Sequence, residues 1–202
     1  MGIYGTKSKW QRALAPVVTF CVRHRVHPDV FTFGALILSL VAALALFRAA
    51  SSRAWLWLVP PCVLARLGAN LLDGLVAREL GLADAWGEVK NEFGDRVADS
   101  AILLGLGLSG YADARLAALA LALVLCVSYL GILGKAVGGP RVYSGVFGKG
   151  DRMLTLSAFT LYALLSEDLR SFDWFLVFAA LAALITIVQR LEVIHGHAKS
   201  LE

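Results

Sequence analysis

Cysteine is scarce and unpatterned: Cys21, Cys62 and Cys126 are isolated residues without CxxC spacing, each in or beside an apolar segment. That excludes a thiolate cluster or a redox pair and leaves them as small buried hydrophobes. Histidine adds little. His24 and His27 fall in a basic N-terminal stretch and His195 and His197 in the C-terminal tail, so none has ligand spacing with a carboxylate and solvated or interfacial positions are expected. No signal peptide is expected, because the first long apolar run begins near Phe31 and no small-residue cleavage pattern follows it. Repeats, linkers and low-complexity stretches are also missing. A single domain over residues 1–202 is therefore expected, with 1–27 a basic interfacial helix and 28–200 a membrane core. The Leu201-Glu202 tail is set aside as the kind a cloning step leaves.

Charge is thin, at 17% of residues against 58% apolar, where soluble domains run at roughly 45 to 50% apolar. An integral membrane protein of the all-α class follows. Runs near the length of about 20 residues that a bilayer requires predict six transmembrane helices, at 31–50, 55–77, 92–111, 114–137, 152–166 and 172–192. Ahead of them Lys7, Lys9, Trp10, Arg12, Phe20, Arg23 and Arg25 alternate with apolar residues, the pattern of an amphipathic helix lying on an anionic leaflet. Pro28 opens the first span where a proline is tolerated, and Asp29 and Thr32 at the same boundary are candidate caps. Trp55, Trp57 and Trp174 stand at span edges as interface anchors.

Six spans put both termini on one side of the membrane. That side also receives Arg78, Lys90, Arg96, Lys135, Arg141, Lys149 and Arg152, while the other keeps Arg48, Arg53, Arg115 and Arg170 with Glu167, Asp168 and Asp173. By the positive-inside rule the richer side, with both termini, is cytoplasmic.

On that side lies a group of polar residues that is expensive so close to a bilayer. An aspartate at a helix centre costs about 2.5 to 3.5 kcal/mol on insertion scales, so a cluster of them implies a function. Asn70 and Asp73 are three apart, and Asn91, Asp95 and Asp99 are spaced by four, so each set shares one helical face. Two such faces turned together converge oxygen ligands, which suit Mg²⁺, Mn²⁺ or Ca²⁺ better than zinc. Gly74 removes a side chain beside Asp73, and Arg78 can fork onto a phosphate. Arg66, seven residues before Asp73 on the same face, offers that acid a purely structural partner.

The string DGLVAR at 73–78, Gly87 and Asp95, with Arg96 and Asp99 after it, resembles the signature DxxDGxxARx8GxxxDxxxD of the CDP-alcohol phosphotransferases. The VHPDVFT segment and the six-span layout resemble that family too. With the eight-residue gap kept, Asn70 and Asn91 stand where the family has its first and third aspartates. A register ending on Asp95 and Asp99 needs a four-residue insertion and puts Asn91 where glycine belongs, so the first is preferred.

The resemblance implies transfer of a phosphatidyl-type group from a CDP-linked lipid such as CDP-diacylglycerol to a small alcohol, releasing CMP. It implies Asn70, Asp73, Asn91 and Asp95 around Mg²⁺ or Mn²⁺, with Ca²⁺ also compatible, and Gly74, Ala77, Arg78 and Gly87 around the CDP moiety. Asp95 becomes the general base on the acceptor hydroxyl. A homodimer among membrane lipids is implied as well, and no nucleic-acid partner. Because an amide oxygen ligates without charge, one tight metal is expected where the family pattern has acids for two, or two only when the substrate diphosphate supplies the missing oxygens.

The glycine-rich stretch GKAVGGPRVYSGVFGKGDR at 134–152 carries Lys135, Arg141, Lys149 and Arg152, with Arg190 near the end of the last span. Read as ordinary positive-inside charge it needs no ligand. Read as a pocket, Lys135, Arg152 and Arg190 suit a phosphorylated acceptor such as glycerol phosphate or inositol phosphate. Two other classes compete with an enzyme: a catalytically impaired paralogue that binds CDP-lipid, suggested by Asn70 and Asn91, and a small membrane transporter, which would not need glycine and arginine at fixed offsets from Asp73.

Overall fold

The computed structural model describes residues 7–199, with side chains from Leu14 onward. The described residues form helices α1 (Lys7–Arg23), α2 (Asp29–Arg48), α3 (Val59–Glu79), α4 (Ala85–Gly107), α5 (Ala114–Ala136), α6 (Lys149–Ser166) and α7 (Ser171–Lys199), with a short 3-10 segment at Arg53–Leu58 leading into α3. No strand interrupts them. The all-helical expectation is met, and α1 falls inside the N-terminal stretch read as a helix. The side chains of Lys7, Lys9, Trp10 and Arg12, and the Leu201-Glu202 pair, lie outside the described residues.

Among the described residues four segments are long and apolar enough to cross a membrane: Asp29–Arg48, Arg53–Glu79, Ala114–Ala136 and Ser171–Lys199. The expected count was six. The difference has a physical cause, since α4 and α6 open with the polar residues of the site, Asn91, Glu92, Asp95, Arg96 and Asp99 on one and Lys149, Asp151 and Arg152 on the other.

Local chemistry sets the boundaries. Pro60 and Pro61 occupy the first turn of α3, where their missing N–H groups cost nothing, and Gly81 leaves the helix at φ 67°, a left-handed conformation that glycine adopts without strain. Asp84 caps α4 by accepting a 2.6 Å hydrogen bond from the Gly87 N–H. Asp113 caps α5 from Arg115 and Leu116.

Helix α2 packs on α3 and α4, α4 on α5, α5 on α7, and α6 on α3 and α7, while α1 lies against α3. Small residues set the close approaches: a β-carbon on Gly105 of α4 would sit 2.6 Å from the Ala43 carbonyl oxygen of α2. Such contact drives helix association where lipid removes the hydrophobic advantage. Alanines 42, 45, 120 and 183 with Leu46, Leu106, Phe172 and Leu176 fill the interior, while Phe33, Ile37, Leu44, Leu181 and Val188 face outward. A chain that buries alanine and exposes leucine and phenylalanine is built for lipid. It is an integral membrane protein.

Interior hydroxyls do not compete with this packing. Ser39, Ser157, Thr160 and Thr186 each donate to the carbonyl four residues back, so no polar atom of theirs faces hydrocarbon unpaired.

Asp29 and Thr32 do not cap α2, whose N-cap residue is Pro28 and whose first N–H, on Asp29, donates to His27 Nδ1 at 3.3 Å. Asp29 pairs with Lys90 on α4, and Thr32 Oγ1 donates to Asp73 Oδ2 on α3 at 3.4 Å. Both tie the start of α2 to the helices that carry the motif.

Candidate functional site

The starts of α4 and α6 meet the later turns of α3, α5 and α7 around a cavity of about 370 Å³, and the start of α2 is tied to that end through Thr32 and Asp73. Asn70, Asp73, Gly74 and Arg78 reach it from α3, Asn91, Glu92, Asp95 and Arg96 from α4, Arg141 and Tyr143 from the α5–α6 loop, Lys149 and Arg152 from α6, and Arg190 from α7. All four residues expected around a metal line this one space. Leu14 of α1 also borders it.

The charge is lopsided. Arg78, Arg96, Arg141, Lys149, Arg152 and Arg190 share the lining with Asp73, Glu92 and Asp95 as the only acids among its described residues. Asp95 and Asp99, one helical turn apart, are buried. Lys149 Nζ lies 2.5 Å from both oxygens of Asp95, with Arg66 at 3.6 Å and Arg96 at 3.9 Å. Arg66 Nη2 donates to Asp99 Oδ1 at 2.8 Å, and Arg152 approaches the other Asp99 oxygen at 3.2 Å.

Arg66 therefore serves the two acids of α4. The structural alternative that the spacing offered, a pairing with Asp73 seven residues along the same helix, is not the one the fold makes: the Arg66 guanidinium reaches across to α4.

Around the rim, Arg141 pairs with Glu92 and stacks over the Tyr143 ring, 4.8 Å from its centroid. Burial lowers the Arg141 pKa, but the charge and hydrogen bond of Glu92 outweigh it and the net shift is upward. Arg190 donates from Nε to the Ser144 carbonyl at 2.9 Å and from Nη1 to the Val127 carbonyl at 2.5 Å. Gly131 makes that position available, since a β-carbon there would sit 2.7 Å from Arg190 Nη1. Arg96, Arg141 and Arg152 still hold buried nitrogens that make no hydrogen bond among the described residues. Buried donors of that kind call for an anion.

Three expected residues stand elsewhere. Lys135 grips Glu88 at 2.7 Å with both side chains 47% exposed, away from the cavity lining. Gly87 is engaged in the α4 cap, where a β-carbon would crowd Asp84 Oδ1 at 3.0 Å, and neither it nor Ala77 lines the cavity. Gly74 does, and a β-carbon there would meet only the Arg78 guanidinium, at 3.6 Å. In the place given to Lys135 the cavity has Arg141 and Lys149. A signal for Lys149 was available: it stands three residues before Arg152, hence on the same face of α6. Arg141 gave no such signal, because a loop side chain has no periodicity to follow.

The donor set bears on a metal. Among the described residues no three His, Cys, Asp or Glu side chains gather as a metal site. The cavity instead offers two motif carboxylates and two amides, and Asn70 buries an amide nitrogen with no hydrogen-bond partner. Such an oxygen set fits one hard divalent cation completed by ligand oxygens.

A matching family now accounts for motif and fold together. Residues 25–189 match the CDP-alcohol phosphatidyltransferase family. The chain belongs to it. The Escherichia coli inner membrane protein YnbA is 34% identical over 154 residues, covering 76% of each chain. The solved structure of Mycobacterium tuberculosis phosphatidylinositol phosphate synthase with CDP-DAG bound has a TM-score of 0.70 at 25% identity, covering 91% of this chain and 94% of that one. The same synthase in complex with manganese and citrate gives 0.69 at 26% identity, covering 89% and 87%. Family membership makes this chain a CDP-alcohol phosphotransferase, an enzyme of phospholipid synthesis.

Proposed function

We propose that the chain transfers a phosphatidyl group from CDP-diacylglycerol to a phosphorylated alcohol and releases CMP. The observation that carries this is the cavity itself, where Asp73 and Asp95 of the family motif face a surplus of arginine and lysine. Donor and acceptor both bring phosphates, and a serine, choline or ethanolamine acceptor would bring no phosphate to set against that surplus.

In the reaction, the acceptor hydroxyl oxygen bonds to the lipid-side phosphorus and its proton passes to Asp95. The bond from that phosphorus to the bridging oxygen breaks, and the electron pair leaves with CMP. Asp95 suits the base because it is the last aspartate of the matched motif and lines the cavity beside Lys149. Arg78 and Gly74 supply a forked donor and a bare approach for the donor diphosphate. Arg152 and Arg190 take the acceptor phosphate, joined by Arg141 in place of Lys135.

Asn70, Asp73, Asn91 and Asp95 would hold a divalent cation, Mg²⁺ or Mn²⁺. Its chemistry there is neutralisation of the diphosphate. Manganese in the related synthase supports that choice of ion.

The reading includes one domain with six membrane crossings. It is supported by the way α3 to α7 bring alternate ends to the cavity, and the basic surplus at that end supports a cytoplasmic face. α1 is taken as interfacial, and a homodimer rests on the family resemblance.

Purified protein in nanodiscs, given CDP-diacylglycerol, Mn²⁺ and a panel of alcohols, is the test. CMP release should follow glycerol phosphate or inositol phosphate and not serine or choline. Release with none of them, while the lipid still binds, would leave a binding protein instead of an enzyme.

A further inference from the structure

Lys149 has no assignment in the chemistry above, yet it makes the closest contact with the proposed base. Its ammonium sits 2.5 Å from both Asp95 oxygens, and its side chain is only 13% exposed. The backbone that delivers it is held on both sides: Phe147 N–H donates to Thr186 Oγ1 of α7, and Gly148 N–H donates to Asp151 Oδ2, each at 3.0 Å. The lysine is therefore built into the site.

The same cavity carries amides at Asn70 and Asn91, the two motif positions where the family pattern has carboxylates. Four carboxylates match the charge of two divalent ions, and two match one. A second divalent ion in this cavity would meet neutral amides and an ammonium already seated on Asp95. An ammonium is a compact point charge that can stand where an ion would, which the flat guanidinium fork does less well.

We propose that the Lys149 ammonium is a tethered substitute for a second divalent cation. The chain holds one metal, and Lys149 supplies from the protein the further positive charge that faces the donor diphosphate. This rests on the phosphotransferase reading above. It also makes a coupled statement about three residues: Asn70, Asn91 and Lys149 form one charge arrangement, and restoring acids alone does not restore a second ion while the lysine stays.

Counting Mn²⁺ by electron paramagnetic resonance on the full chain in zwitterionic nanodiscs tests this without turnover. The wild type should bind a single Mn²⁺ per chain. The Asn70→Asp/Asn91→Asp variant should stay near one, and adding Lys149→Met should bring in a second ion with affinity higher by roughly tenfold or more, as expected when charge count tunes a cation site. Lys149→Arg in the same double-acid background keeps the charge and should keep the count at one. Two ions or none in the wild type would overturn the proposal, as would a second site equally tight with Lys149 and with Met. Should the Met variant fail to fold, as a thermal scan would reveal, the wild-type and Arg counts still decide. CMP release, measured on the same preparations, separates the two readings: a correct ion count without CMP release sinks the proposed reaction and leaves the ammonium substitution standing.

Discussion

At the end of the bundle where α2, α4 and α6 begin, acids and bases meet inside the protein: Arg66 is 1% exposed and bonds Asp99 at 2.8 Å. At the opposite end, Arg53 and Glu167 pair at 3.1 Å with side chains 44% and 75% exposed, and Asp113 and Asp173 serve helix starts and a backbone N–H. Trp57 and Trp174 stand exposed there, as interface anchors do. One end handles charge as any membrane protein surface does. The other buries charge that would be cheaper to leave out, since apolar residues of similar volume often replace a buried ion pair without loss. Charge kept at that cost is charge that a ligand uses.

The largest contrast should be catalytic. Asp95→Asn is expected to lower kcat by about 10²- to 10⁴-fold, the usual contribution of a positioned base, while CDP-diacylglycerol binding by equilibrium titration persists. No substitution at Arg53 or Asp113 should approach that loss. Full turnover in Asp95→Asn would remove the base assignment and with it the functional side of the contrast.

Stability should divide the ends next. Arg66→Leu leaves Asp95 and Asp99 without their shared buried partner, an omission that costs about 3 to 5 kcal/mol. Arg53→Leu breaks an exposed pair worth about 0 to 1 kcal/mol. Equilibrium unfolding in mixed micelles should show this gap, and equal losses at the two ends would undo the distinction between buried and surface charge.

How much of this was legible in the residues differs between the same two ends. The all-α membrane class and the shared helical faces of Asn70 with Asp73 and of Asn91 with Asp95 followed from apolar run length and three- and four-residue spacing, both local properties of a helix, and the motif that joins the two pairs followed from the family resemblance. The partner of Arg66 did not. Spacing along α3 offered Asp73, whereas the contact that forms reaches across to α4, which α2 holds beside α3 by packing on both. Asp29 and Thr32 were misjudged as caps for the same reason, since the beginning of a helix is where caps belong until tertiary partners on α3 and α4 claim the side chains. Lys135 had the right charge on the right side, but it continues the α5 surface toward Glu88, and the loop that follows turns Arg141 inward. Six spans were expected from runs that the structure confirms as helices, of which α4 and α6 are too polar at the site end to qualify by apolarity alone.

A smaller effect separates acceptor from donor within the site. Arg152→Gln or Arg190→Gln removes a charged hydrogen-bond donor of the kind worth about 1.5 to 3 kcal/mol, so the acceptor KM should rise by about 10- to 100-fold with the CDP-lipid KM nearly unchanged. A matched rise in both constants would assign these arginines to the diphosphate and return the acceptor to other groups of the lining, Arg141 first.

The least effect belongs to the far end and depends on pH. Asp113 accepts backbone hydrogen bonds from Leu116 and Arg115, and these hold its carboxyl below the ordinary aspartate range. A folded pKa below the unfolded one means that the stabilisation is complete above the unfolded value, near pH 3.9, and disappears as pH falls through the depressed folded value. Asp113→Ala should therefore lower the thermal midpoint at pH 7 by a small amount, with the gap to wild type closing below about pH 3.9 and CMP release unchanged at neutral pH. A gap that persisted in acid would mean that Asp113 acts through packing and not through its charge as a cap, which would make the far end less ordinary than its exposed pairs suggest.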